Sequence, residues 1–190
     1  HIQTRNRGTL GGSLAHAAPA AELPLAAQVL GARMMLRSTL GVRCVPAGDF
    51  FAGPLATAIE PHECLEEIHW PVWPGRRTGS AFIEVSRRHG DFAIVAAAAQ
   101  IAVDDDGRCI RASFGLSGGG QIPLAFPGLA AHLLGTRLDA AVVQSVAQDA
   151  AIELDPGNDL HASAGYRRHL AAVLAARAVR AAFDQAKGKQ

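Results

Sequence analysis

Thr9-Leu10-Gly11-Gly12-Ser13, two adjacent glycines between hydroxyl residues, is the segment of this sequence best suited to hold a ligand. Without Cβ atoms, the backbone at Gly11 and Gly12 can come close to a ligand and point consecutive N–H groups into one concavity. The oxygens of a diphosphate suit such a concavity, and each charge-assisted hydrogen bond to them contributes about 1.5–3 kcal/mol. Thr9 and Ser13 add hydroxyl donors. The spacing is not Gly-x-Gly-x-x-Gly, and it is not a P-loop, because no Gly-Lys-Ser/Thr follows. Arg5-Asn6-Arg7 leads in; an apolar run with Pro19 and Pro24 leads out and carries one acid, Glu22. The same residues also read as a plain turn.

Elsewhere no acid, base or nucleophile stands out. The histidines are dispersed, with no His-Glu-x-x-His and no pair at ligand spacing beside a carboxylate. Cys44, Cys64 and Cys109 are far apart and form no Cys-x-x-Cys, which argues against a disulfide framework and against a zinc or iron–sulfur site in this chain. Asp104-Asp105-Asp106-Gly107 reads as a solvated tight turn, with a metal role as the alternative. Gly118-Gly119-Gly120 reads as a strand exit, with a second phosphate loop as the alternative. An enzyme built on this chain must therefore draw its reactive chemistry from a cofactor.

The elements around these residues follow from pattern. Glu22 to Leu30 is apolar and closed by Gly31, which predicts a short helix. Ala32–Arg37 and Val42–Val45 flank Thr39-Leu40-Gly41 as a hairpin, Pro46–Phe51 is a turn or short helix, and Glu63–Trp70 is a strand ended by Pro71. Pro71 to Gly79, rich in proline and glycine, marks a boundary. Ser80–Ser86, Phe92–Val103 and Arg108–Ser117 then predict three strands. Three helices follow: Pro127–Leu134, one capped by Asp139, and one from about Ala162 to Ala186. The second half is thus a layered α+β unit.

Bulk properties narrow the field further. With 190 residues and 49% hydrophobic content the chain can bury a sizeable core. A net charge of +1 provides no field to recruit nucleic acid or an anionic membrane. No apolar stretch of about 18 residues predicts a membrane span. Unpaired cysteines fit a reducing, cytoplasmic compartment. A chain that opens on His1 and soon reaches a binding segment is expected to be the C-terminal part of a longer polypeptide.

The run from Arg5 to Ala17 resembles the second flavin-binding motif of the FAD-binding (medium) subunit of molybdenum hydroxylases, the carbon monoxide dehydrogenase and xanthine dehydrogenase relatives. Four further stretches match in order: Asp49-Phe50-Phe51, Leu65 to Pro71, Ser86 to Ala93, and Ser163 to Leu170. The resemblance implies an α+β chain. Residues 1–75 would be the second subdomain of a two-subdomain FAD-binding fold, and 78–186 a C-terminal domain of a three-stranded antiparallel sheet and a three-helix bundle. It implies an oxidoreductase subunit whose FAD takes electrons from 2Fe–2S clusters on a small subunit, fed by a molybdopterin site on a large one, in a heterotrimer or its dimer. Carried over by residue, Thr9, Leu10, Gly11, Gly12 and Ser13 would hold the FAD pyrophosphate and Glu22 would lie near its ribityl or ribose hydroxyls. Leu65 would lie against the isoalloxazine, with Phe82 and Glu84 on a strand beside the ring. Glu84 stands where the family often has Lys, and Ser13 where Asn or Asp is common. The family's first flavin loop is missing from this sequence, so the isolated chain is expected to bind FAD poorly. An interaction module that docks on partner subunits without flavin is the other expectation.

Overall fold

The computed structural model describes residues 2–88 and 90–188, the side chains of residues 3–5 excepted; His89 of the Ser86–Ala93 motif lies outside the described residues. Two short helices, α1 (Ile2–Arg7) and α2 (Leu10–His16), lead into α3 (Glu22–Leu30), which stops where Gly31 turns left-handed at φ 67°. A residue with a Cβ would strain there, so the glycine ends the helix as its position predicts.

The hairpin β1 (Arg33–Ser38) and β2 (Gly41–Pro46) is followed by α4 (Ala47–Phe50), the two-stranded pair β3 (Phe51–Gly53) and β4 (Ala56–Thr57), and then β5 (Cys64–His69). The antiparallel sheet runs β2-β1-β5. Its inner face, Met34, Leu36 and Val45, packs with Leu14, Ala27, Phe50 and Phe51. Arg43 on β2 grips Glu63 with two nitrogens at 2.6 and 2.8 Å, and the Glu60 N–H donates to the same carboxylate at 2.9 Å. These bonds tie the turn before β5 to the opposite edge strand and hold the Glu63 carboxyl at about 2, chiefly through Arg43.

A second antiparallel sheet contains β6 (Thr78–Val85), β7 (Val95–Val103), β8 (Cys109–Ser117) and the two-residue β9 (Leu124–Ala125), in that order. The fourth strand was not legible, because two residues carry no alternation. Behind it run α5 (Pro127–Ala131), α6 (Ala140–Glu153), capped by Asp139 bonding the Val142 N–H, and α7 (Ala164–Gly188). β7 begins at Val95 rather than Phe92, since Asp91 and the exposed Phe92 belong to the preceding turn.

The alanine run of β7 is buried on both faces, and its period of two sorts it between two helices. Val95, Ala97, Ala99, Ile101 and Val103 join the large core with α6 and α7. Ala96 and Ala98 point the other way, onto Leu25 and Val29 of α3. Small side chains are what let helices lie on both sides of one strand. At Gly115 on β8 the approach is closer still: a Cβ there would lie 2.5 Å from the Leu124 carbonyl oxygen and 2.9 Å from a Val29 methyl. Ser113 adds a hydrogen bond from its hydroxyl to the Val29 carbonyl at 2.6 Å. α3 therefore precedes the proline-rich segment in sequence yet packs on the sheet that follows it.

Gly115→Ala should destabilise the chain by about 1–3 kcal/mol through overpacking, lowering the melting temperature by roughly 2–4 °C per kcal/mol. Gly128→Ala, inside α5 with no atom within 4 Å of the added Cβ, should not destabilise it and should stabilise it slightly; thermal denaturation followed by circular dichroism compares them. A second expectation concerns acid. The folded value of Glu63, about 2, is below its ordinary value of 4.5, so its contribution is complete above about 4.5 and is lost as pH falls towards 2. In an acid titration of stability, Glu63→Gln should show a shallower decline over that window.

Candidate functional site

Thr9 sets the local geometry of the glycine segment. It is extended (φ −123°, ψ 156°), and its Oγ1 accepts the Gly12 N–H at 2.9 Å. Its carbonyl accepts the Ser13 N–H at 3.1 Å. Thr9 is thus an N-cap, and Gly11 and Gly12 lie in the first turn of α2. The open glycine concavity expected from sequence is instead a helix N-terminus. The reason is local, because a threonine immediately before the run satisfies the N–H that would otherwise turn outward.

The change of geometry preserves the electrostatics. The first N–H groups of a helix have no acceptor within it, and the helix dipole adds positive potential at that end. No acidic residue lies in the first turn of α2 to offset it. A Cβ at Gly11 would stand 3.9 Å from the Leu65 side chain, and one at Gly12 would stand 2.9 Å from Thr9 Oγ1. Gly12 therefore protects the cap, while at Gly11 an added Cβ would only come into ordinary contact with Leu65. The arrangement offers backbone and hydroxyl donors beside an apolar side chain, which fits a phosphorylated ligand with an apolar ring system.

The structure brings Thr9–Ser13 and Leu65 together directly. Glu22 is exposed in the first turn of α3, where an acid also suits the helix dipole. Phe82 and Glu84 lie on β6, opposite Ala98 and Ala96 of β7, and so on the sheet face that α3 covers. Phe82 remains 40% exposed, a large apolar ring at the edge of that face. Glu22 thus lies on α3 itself, while Phe82 and Glu84 share the sheet face on which α3 packs through β7 and β8.

Where α2 passes into α3, the chain is held at both sides. Ala17, left-handed at φ 51°, accepts the Leu55 N–H at 3.1 Å, and Pro19 accepts the Gly118 N–H at 3.2 Å. Beside Pro19 and Ala20 opens a cleft of about 630 Å³, walled by Arg87, Asp91, Phe92 and Arg167 among others. Tyr166-Arg167-Arg168 reads in the sequence as an anchor for the last helix, and Arg167 is that anchor: only 8% of it is exposed and it bonds three separate segments. Helical spacing puts Arg167, three residues before Leu170 and seven before Leu174, on the buried face of α7 and leaves Arg168 exposed, but the acceptors it meets there carry no mark in the sequence.

Gly115-Leu116-Ser117-Gly118-Gly119 has the spacing of a nucleophile elbow, but Ser117 is 1% exposed at the end of β8 and its hydroxyl finds no partner. An elbow serine needs exposure and an adjacent base. Among the described residues no group of His, Cys, Asp and Glu is placed to hold a metal ion. Nor, among them, is any helix long and apolar enough to cross a membrane.

Known proteins agree with this layout. Residues 1–73 match the model of the FAD binding domain in molybdopterin dehydrogenase, and residues 80–182 that of the CO dehydrogenase flavoprotein C-terminal domain. The chain is 36% identical over 187 residues to the 6-hydroxypseudooxynicotine dehydrogenase complex subunit alpha of Paenarthrobacter nicotinovorans, covering 98% of this chain and 63% of that protein. It is 37% identical to the carbon monoxide dehydrogenase medium chain of Afipia carboxidovorans, covering 97% of this chain and 64% of that one. Among solved structures, reconstituted CO dehydrogenase from Oligotropha carboxidovorans superimposes with a TM-score of 0.93 at 35% identity, over 97% of this chain and 64% of that chain. Quinoline 2-oxidoreductase from Pseudomonas putida 86 gives 0.89 at 36% identity, over 98% and 64%. The chain thus spans a little under two thirds of the length of these relatives. With more than half of its residues inside one family model and the preceding part inside its companion, the chain belongs to the flavoprotein (medium) subunit family of the molybdenum hydroxylases.

Proposed function

We propose that this chain forms part of an FAD-binding, electron-transferring subunit of a molybdopterin-dependent hydroxylase or dehydrogenase. The observation that carries the reading is the Thr9-capped N-terminus of α2, free of acids and set against Leu65, in a segment that matches an FAD-binding domain. Backbone N–H groups of Leu10 and Gly11 and the hydroxyls of Thr9 and Ser13 would take the pyrophosphate oxygens. Glu22 would accept hydrogen bonds from ribityl or ribose hydroxyls. Leu65 would lie against the isoalloxazine and Phe82 at its border, excluding water from one side. Glu84 would place a carboxylate near the ring, which disfavours added negative charge on it and so keeps the potential low.

Bound FAD would supply the redox chemistry, taking electrons in and passing them to an external acceptor. They would arrive from 2Fe–2S clusters on a small subunit, with substrate oxidised at molybdopterin on a large subunit. The dehydrogenase subunits and CO dehydrogenase among the relatives support that assignment. The chain would act in two parts, 1–75 for FAD and 78–186 as the C-terminal α+β domain, in a cytoplasmic heterotrimer or its dimer.

The test uses the complete polypeptide co-expressed with its partner subunits. The complete polypeptide alone should be yellow, FAD should be extractable from the assembled complex, and substrate should bleach the flavin band only when all subunits are present. Gly12→Val should displace Thr9 Oγ1 and lower FAD affinity at least about tenfold, roughly 1.4 kcal/mol, read from flavin released on dilution. A wild-type complex that still assembles but yields no extractable FAD would replace this reading with a docking module.

A further inference from the structure

Arg167 is a buried cation that makes three hydrogen bonds, to two backbone carbonyls and one carboxylate. Its Nη1 donates to the Ile94 carbonyl and to the Gly118 carbonyl, each at 2.8 Å. Its Nη2 donates to Asp159 Oδ2 at 2.6 Å. The three acceptors come from the entry to β7, the exit of β8 and the loop between α6 and α7. Asp159 is itself fixed, since its Oδ1 accepts the N–H groups of His161 and Ala162 at 2.8 and 2.9 Å.

Gly118 makes this cluster more than a clamp within one sheet. It is left-handed at φ 75°, and a Cβ on it would lie 2.8 Å from the Ile94 carbonyl oxygen, which Arg167 also binds. While its carbonyl faces Arg167, its N–H faces the other way and donates to Pro19. Pro19 lies two residues beyond the C-cap of α2 and three before α3 begins. An unbroken series of polar contacts therefore runs Asp159, Arg167, Gly118, Pro19, from α7 to the segment that joins the C-terminal end of α2 to α3. Proline has no N–H of its own, so the carbonyl is the one backbone handle at that position.

We infer that Arg167 is a positioning residue for the cofactor site: its fork fixes Gly118, and Gly118 fixes the α2–α3 connection, so that the end of α2 stays in register with Leu65 and with the sheet face bearing Phe82 and Glu84. The inference rests on the assignment of α2 as the FAD pyrophosphate site. A planar guanidinium is required, because one group must reach two carbonyls and a carboxylate at fixed angles. A lysine keeps the charge and loses the fork.

The test compares Arg167→Lys with wild type in the full polypeptide assembled with its partner subunits. Melting temperature and circular dichroism report folding; FAD dissociation constant and flavin reduction potential report the site. Arg167→Lys should assemble and remain folded at the assay temperature, yet bind FAD about tenfold more weakly, within the usual range of coupling between sites, and shift the potential. A purely structural role would lower the melting temperature and leave the potential of bound flavin where it was. Should Arg167→Lys not fold, Asp159→Asn decides by the same readouts, because Asp159 is half-exposed. Unchanged affinity and potential in the folded variant overturn the inference. If Gly12→Val loses FAD while the Arg167 and Asp159 variants keep it, only this inference fails. If Gly12→Val keeps FAD, the α2 assignment fails and takes the inference with it.

Discussion

A single strand buried on both faces governs this structure. β7 lies between α7 on one side and α3 on the other, and only methyl-sized side chains at Ala96, Ala97, Ala98 and Ala99 allow both layers to close on it. Interiors pack at crystal-like density, so a larger residue at any of these positions would push one helix outward. The placement of everything functional descends from that constraint. α3 is seated by β7 and β8, α2 packs against α3, and the glycine-bearing end of α2 is aimed by both.

Much of this was legible in the sequence, and the reasons differ by element. α3 was readable because an apolar run ends on a glycine. The β1–β2 hairpin showed through its turn residues, and α6 through an aspartate at its cap. The alanine run of β7 was readable as a strand but not as a strand covered twice, because alanine fits either a half-buried or a fully buried face. β9 was too short to have a period. The glycine segment was misread as an open turn: two glycines lower helix propensity, and the balance is reversed by Thr9, whose hydroxyl supplies the missing acceptor.

The candidate site shows the same division. The residue types that favour a phosphorylated ligand stand in one contiguous stretch and could be picked out without a structure. Arg167 could not, because its role depends on where two carbonyls and a carboxylate from distant segments meet. A buried charge is costly unless it is paired and hydrogen-bonded, and here both terminal nitrogens of the guanidinium find acceptors in two backbone oxygens and the half-exposed carboxylate of Asp159. Its neighbour Arg168, one residue on, is exposed. Helical geometry alone separates the two.

The linker also crosses this frame in a defined way. Trp73 is buried under the Arg111 guanidinium, which stands 4.2 Å from its ring, and Arg77 bonds the turn between β7 and β8. Because α3 is embedded in the later sheet, a protease cut within this proline-rich stretch would sever the chain without freeing its two ends. The nicked molecule would stay in one piece, and unfolding would proceed as one cooperative transition across what the sequence marks as a border.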